Sequence, residues 1–167
     1  CEFIAEWAIR DAADTVMEPS CGDGAILGAA ARRSQSLGGS VPVVGYELHA
    51  DSARLTEVNL AKAGYPASIR AGDFLAVPPS AAFTAVVGNP PYIRYQGFTG
   101  EARANGLAAA LTQGVRLSKL ASSWAPFVIH ASGFITAGGR LGLVLPAELL
   151  SSNYAQEVRD FLLRRFA

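Results

Sequence analysis

Thr15-Val16-Met17-Glu18-Pro19-Ser20-Cys21-Gly22-Asp23-Gly24-Ala25-Ile26-Leu27 is the stretch whose reading decides how this chain is built. Residues 15–18 fit a strand, PSCGDG is a loop, and the Ala-rich run 25–35 is a helix stopped by Leu37-Gly38-Gly39. The loop therefore opens a strand-to-helix turn. Upstream, Phe3, Ile4, Trp7 and Ala8 recur at helical spacing, which predicts an amphipathic helix over 2–12. Downstream, 41–47 is a buried-type strand, and Asp51 is the expected N-cap of a helix over 52–63 closed by Gly64. Residues 67–70 are a third strand, 71–80 a loop, and 83–87 a fourth strand halted by Gly88-Asn89-Pro90-Pro91. A polar stretch over 96–105 precedes helical patterns running through 117–136 to Gly138-Gly139, then a strand over 140–145 and a helix over 154–166. Strands alternating with helices in this way imply an α/β fold, an open and mainly parallel sheet with helices on both faces. Ligands bind such sheets beyond the carboxyl ends of the strands.

Composition narrows the class. The chain has 167 residues, half of them hydrophobic, which is one domain with a real core. Fourteen basic residues balance fourteen acidic ones, so the chain carries no net electrostatic footprint for phosphate backbones. If the target is nucleic acid, most of the grip comes from elsewhere. Two cysteines, Cys1 and Cys21, form neither a disulfide framework nor a metal-ligand spacing, and a reducing cytoplasm is expected. No membrane span or signal-type start is present, and no metal site is expected. The chain begins without Met and ends inside a helical pattern, FLLRRFA, so we expect a fragment covering residues 1–167 of a longer catalytic domain.

Four loops carry chemistry, each after a strand. In Glu18-Pro19-Ser20-Cys21-Gly22-Asp23-Gly24, glycines allow close approach of backbone to a ligand, and the helix N-terminus behind favours an electron-rich group. The loop is neither a P-loop nor a GxGxxG, and alone it leaves nucleotide, dinucleotide and S-adenosylmethionine open. Glu47 ends the next strand, where an acid can take both ribose hydroxyls of a nucleoside-like ligand. Asp73-Phe74 offers a carboxylate for an adenine amino group beside an aromatic face for stacking. Asn89-Pro90-Pro91-Tyr92 is the sharpest signal, because its prolines fix a rigid turn. An exocyclic amine on a heteroaromatic ring is a poor nucleophile while its lone pair is delocalised. Acceptors on its two hydrogens, the Asn89 side-chain oxygen and the Pro90 carbonyl, would localise that pair. Tyr92 supplies a face for an extruded base.

With PSCGDG, Glu47, Asp73-Phe74 and NPPY in this order, the sequence resembles the gamma group of amino-methylating DNA methyltransferases, the adenine-specific enzymes of type II restriction-modification systems above all. Gly88-Asn89-Pro90-Pro91-Tyr92-Ile93-Arg94-Tyr95-Gln96 together with LGLVLPAELL strengthens the match. The resemblance implies a Rossmann-like class I methyltransferase fold and S-adenosylmethionine as cofactor. Glu18, Pro19, Ser20, Cys21, Gly22 and Gly24 would line its methionine part, Glu47 its ribose, and Asp73 with Phe74 its adenine, with Leu48 and Asn89 also among the cofactor contacts. Asn89, Pro90, Pro91 and Tyr92 would be the catalytic set. The implied reaction is methyl transfer to adenine N6 in double-stranded DNA bearing a flipped base, within a restriction-modification system whose recognition and endonuclease modules are fused or separate. The implied compartment is a prokaryotic cytoplasm.

Two rival substrates share the conjugated-nitrogen problem: a protein glutamine side chain, methylated at N5, and cytosine N4. The loop EPSCGDG fits the DNA group better than the Asp-rich loop of the protein group, and Ser commonly replaces Asn89 in the cytosine group. A non-catalytic module that binds cofactor or partner is the remaining alternative, opposed by the intact Asn89, Pro90 and Tyr92. Cys21 is read as a small packing residue rather than a nucleophile. His49 and His130 are read as solvated or core residues, and Arg94 as a phosphate contact or a plain surface arginine.

Overall fold

Apolar residues on alternate strand positions supply both sides of a sheet, and this alternation organises the molecule. In the computed structural model, which describes residues 1–40 and 42–166, strands β1 (Val16–Glu18), β2 (Val43–Glu47), β3 (Ala67–Ala71), β4 (Phe83–Gly88) and β5 (Ile135–Leu143) form one sheet. Their order is β3-β2-β1-β4-β5 and every pair is parallel, with Met17 opposite both Val44 and Val86. Val16, Val43, Ala85 and Val87 pack on α1 (Glu2–Ala8), α2 (Ala25–Ser36) and α3 (Ala50–Lys62). Met17, Tyr46 and Val86 face the other way, onto α4 (Gly100–Thr112) and α5 (Trp124–Ser132). After the short α6 (Glu148–Ser151), α7 (Gln156–Phe166) packs against α5 through Val158 and Phe161. The expected α/β sheet, covered on both faces, is what forms.

The strand order places the site. The chain lays β2 and β3 to one side of β1 and then returns to lay β4 on the other. The loops leaving β1 and β4 therefore diverge from neighbouring strands, which opens a crevice at their carboxyl ends.

Several element boundaries differ from the sequence reading, for local reasons. The first helix ends at Ala8 rather than at 12, because the Asp14 carboxylate accepts the Arg10 and Asp11 backbone N–H groups and builds a turn there. Its buried residues are Ala5 and Ala8, followed by Ile9, whereas Phe3 is 80% and Trp7 45% exposed. The N-cap of α3 is His49, and Asp51 lies inside the first turn. The strand expected from 41 starts at Val43, and Val41 lies outside the described residues. Residues 71–80 contain a 3-10 turn, Phe74–Ala76. The polar stretch 96–105 already enters α4 at Gly100. The run 117–136 is helical only over α5, and Gly138-Gly139 lies within β5, where the register with β4 shifts between Phe83 and Ala85. Gly138 has φ +77°, the conformation that lets a bulge form inside the strand.

Candidate functional site

A cleft of about 670 Å³ lies at the carboxyl ends of the strands. Among its walls are Pro19, Ser20 and Gly22 after β1, Glu47 and Leu48 after β2, Asp73 and Phe74 after β3, and Asn89 and Pro91 after β4. Four loops singled out by their chemistry thus meet in one place. Each is brought there by its strand, since parallel strands end at the same edge.

The β1 loop is shaped by Gly24, which takes φ +82° as it enters α2 and leaves no room for a side chain. A Cβ there would lie 2.7 Å from Thr56 Cγ2. The Thr56 hydroxyl in turn donates to the Gly22 carbonyl at 2.6 Å, fixing the loop from α3. The Glu47 carboxylate accepts the Gly22 N–H at 3.1 Å through one oxygen and the His49 N–H at 3.0 Å through the other. Each oxygen keeps a second lone pair, so the carboxylate is both oriented and able to receive a pair of hydroxyls.

Asp73 caps the 3-10 turn, with one oxygen accepting the Leu75 N–H at 3.0 Å and the other the Asn105 side-chain amide at 2.9 Å. Phe74 departs from its expected role. Its ring is only 2% exposed and packs with Tyr46, His130 and Phe134, whose ring centroids lie 5.3, 4.9 and 5.0 Å away. It forms the floor of the cleft rather than an open stacking face, because the core on this side of the sheet closes over it.

Asn89 stands exposed at the end of β4. Its backbone carbonyl accepts the Ser20 hydroxyl at 3.3 Å, which joins the two diverging loops. Its side-chain oxygen is met by the Tyr92 hydroxyl, which also lies 2.8 Å from the Val144 carbonyl. A phenol has one proton, so it serves these acceptors one at a time. Pro91 lines the cleft, while Pro90 is buried behind it.

Five residues of the expected set stand off the cleft wall: Glu18, Cys21, Gly24, Pro90 and Tyr92. Glu18 is 2% exposed beneath the loop, with one carboxylate oxygen lacking a partner among the described residues. Burial pushes its carboxyl up to about 8, against a hydrogen bond from the Leu27 backbone. Cys21 is buried too, and burial with the nearby Glu18 and Glu47 carboxylates pushes its thiol up to about 12, far from a nucleophilic thiolate. His130 is a core residue whose Nε2 lies 3.1 Å from the Phe74 carbonyl, and burial lowers its pKa below the ordinary imidazole value. Arg94 is exposed beyond the turn.

The far wall was not foreseen. Glu101 and Asn105 reach the cleft from α4, and Ser123 and Phe127 from α5. None sits in a spaced motif, and these helices meet the loops only because they fold across the second face of the sheet.

Among the described residues no helix is long and apolar enough to cross a membrane. The model of the Eco57I restriction-modification methylase family matches residues 55–166, more than half of the chain. The chain is 26% identical over 152 residues to the type II methyltransferase M.XamI of Xanthomonas campestris pv. amaranthicola, covering 89% of this chain and 28% of that protein. It therefore spans little more than a quarter of that relative. Among solved structures, a Listeria monocytogenes protein assigned to the class I S-adenosylmethionine-dependent methyltransferases matches with TM-score 0.79 at 16% identity, over 98% of this chain and 49% of that one. A type I restriction-modification methyltransferase subunit from Streptococcus thermophilus matches with TM-score 0.74 at 23% identity, over 98% of this chain and 37% of that one. The fold is that of the class I methyltransferases, as the resemblance implied.

Proposed function

This chain belongs to the Eco57I restriction-modification methylase family, and we propose that its cleft takes S-adenosylmethionine and directs the methyl group to an exocyclic amine of DNA, adenine N6 before cytosine N4. The observation that carries this reading is that Asn89 and Pro91 line the same cleft as Glu47 and Asp73. One wall suits a nucleoside and the other an amine.

Glu47 receives the ribose hydroxyls, and Asp73, steadied by Asn105, receives the adenine amino group. The residues fit the cofactor on one further count: the Gly22 N–H and the Glu47 carboxylate are already locked together, so little ordering remains to be done on binding. The cofactor contributes a sulfonium-activated methyl group. What the chain adds is position. Asn89 Oδ1, on the cleft wall, accepts one amine hydrogen, and the Pro90 carbonyl, set behind that wall, takes the other once the extruded base has entered the turn, so that the nitrogen is drawn toward tetrahedral geometry. Tyr92 turns its ring to the extruded base, releasing the Asn89 oxygen as it does so. No covalent enzyme intermediate is needed, in keeping with the protonated, buried Cys21.

Net neutrality leaves the grip on double-stranded DNA to parts of a longer protein, including recognition and endonuclease modules fused to or associated with it in a prokaryotic cytoplasm. The test is label transfer from tritiated S-adenosylmethionine to unmethylated plasmid DNA, followed by nucleoside analysis. N6-methyladenine is expected. Label in N4-methylcytosine would move the target, and label in a release-factor protein instead of DNA would overturn the substrate class.

A further inference from the structure

Pro90 and Pro91 have no N–H, so the turn that carries Asn89 and Tyr92 cannot be held by its own backbone donors. Its carbonyls and the N–H that follows must find partners elsewhere. The Pro91 carbonyl and the Ile93 N–H find them in one side chain. The Ser123 hydroxyl donates to the Pro91 carbonyl at 2.5 Å and accepts the Ile93 N–H at 2.8 Å. The Ser123 backbone N–H donates to the Ile93 carbonyl at 2.9 Å. These three bonds bracket Tyr92 on both sides, fixing its backbone while its ring stays half exposed.

Ser123 is the N-cap residue of α5, where a serine hydroxyl ordinarily bonds to its own helix, yet it makes no such cap bond. The hydroxyl is spent on the turn. It is also almost fully buried, 1% exposed, so water is a poor substitute for it. Among small side chains only a hydroxyl both donates and accepts strongly at one atom.

We infer that Ser123 is a positioning residue that clasps the turn 91–93 to the start of α5 and so sets where Asn89 and Tyr92 stand relative to the amine. The inference rests on the methyl-transfer reading above. It places one end of the catalytic turn under the control of α5, while Ser20 holds the other end.

The experiment compares the full chain with Ser123→Ala and Ser123→Cys, using tritiated S-adenosylmethionine and unmethylated plasmid DNA, with amide hydrogen exchange at Ile93. A small misplacement of reacting groups costs up to about 100-fold in rate, so kcat should fall roughly 10- to 100-fold. KM for S-adenosylmethionine should stay within about twofold, since uniform binding is untouched. The Ile93 amide should exchange faster in both variants. Should the alanine variant not fold, the cysteine variant, close in size and weak in hydrogen bonding, decides. Wild-type rates in a folded variant, an Ile93 amide still protected, or a raised KM with unchanged kcat would each overturn the clasp. Absence of any transfer by the wild-type chain would instead strike the methyl-transfer reading, while Ile93 exchange would still report on the clasp.

Discussion

The Glu47 carboxylate accepts the Gly22 N–H across 3.1 Å, so the end of β2 is tied to the loop that leaves β1. One charged group thereby orients the backbone of the loop and faces the cleft. Hydrogen bonds to charged groups contribute about 1.5–3 kcal/mol. Glu47→Gln removes the charge and turns a donor toward one of the two N–H groups it now receives. Calorimetric titration should show S-adenosylmethionine affinity weakened by roughly 10- to 100-fold; an unchanged affinity would remove Glu47 from the cofactor site.

Asn89→Ala deletes the proposed amine acceptor without touching Glu47 or Asp73. Methyl transfer should drop by at least about 100-fold, as when a preorganised polar group is removed from a reacting centre. Cofactor affinity should hold. Equal loss of both, measured by single-turnover kinetics and calorimetry on the same preparation, would count against its catalytic role.

Gly24→Ala and Gly22→Ala separate backbone strain from collision. Both glycines have positive φ, at +82° and +50°. An alanine at 24 would also press Thr56 Cγ2 at 2.7 Å, whereas position 22 is open. Gly22→Ala should cost about 1 kcal/mol of stability, and Gly24→Ala about 2–4 kcal/mol once overpacking is included. Urea unfolding that ranks them the other way would contradict this geometry.

Glu18 makes stability depend on pH. Burial raises its carboxyl from an ordinary value of 4.5 to about 8 in the folded chain. Between those values the unfolded chain has released the proton and the folded chain retains it, so stability falls as pH rises. The contribution is complete below about 4.5 and is lost as pH climbs through about 8. Glu18→Gln keeps an acceptor for the Leu27 N–H and cannot ionise. Its stability relative to the parent should therefore grow across that window, by an amount on the order of a few kcal/mol. Parallel denaturation curves at every pH would refute the assignment.

The four loops were legible because each is punctuated locally. Glycines mark the turn after β1, a lone acid ends β2, and prolines halt the chain after β4. Helix ends were less legible. The turn at 10–14 depends on Asp14 reaching back to Arg10 and Asp11, and that carboxylate is itself placed by Thr84 and Arg140 from distant strands. Phe74 shows the same limit in the site. An aromatic next to Asp73 reads equally as a stacking face or as core, and only the packing of Tyr46, His130 and Phe134 around it makes it core.

The succession of strands and helices along the chain and the four loops that line the cleft, the NPPY turn among them, were written in the sequence itself, because turn residues and hydrophobic period act on near neighbours along the chain. The far wall of the cleft, with Asn105 bound to Asp73 and Ser123 clasping the turn beside Tyr92, was settled only when α4 and α5 crossed the second face of the sheet. Those contacts join residues roughly thirty positions apart, and no local propensity encodes them. They exist because burying the apolar sides of both helices leaves these few polar groups a single place to be satisfied.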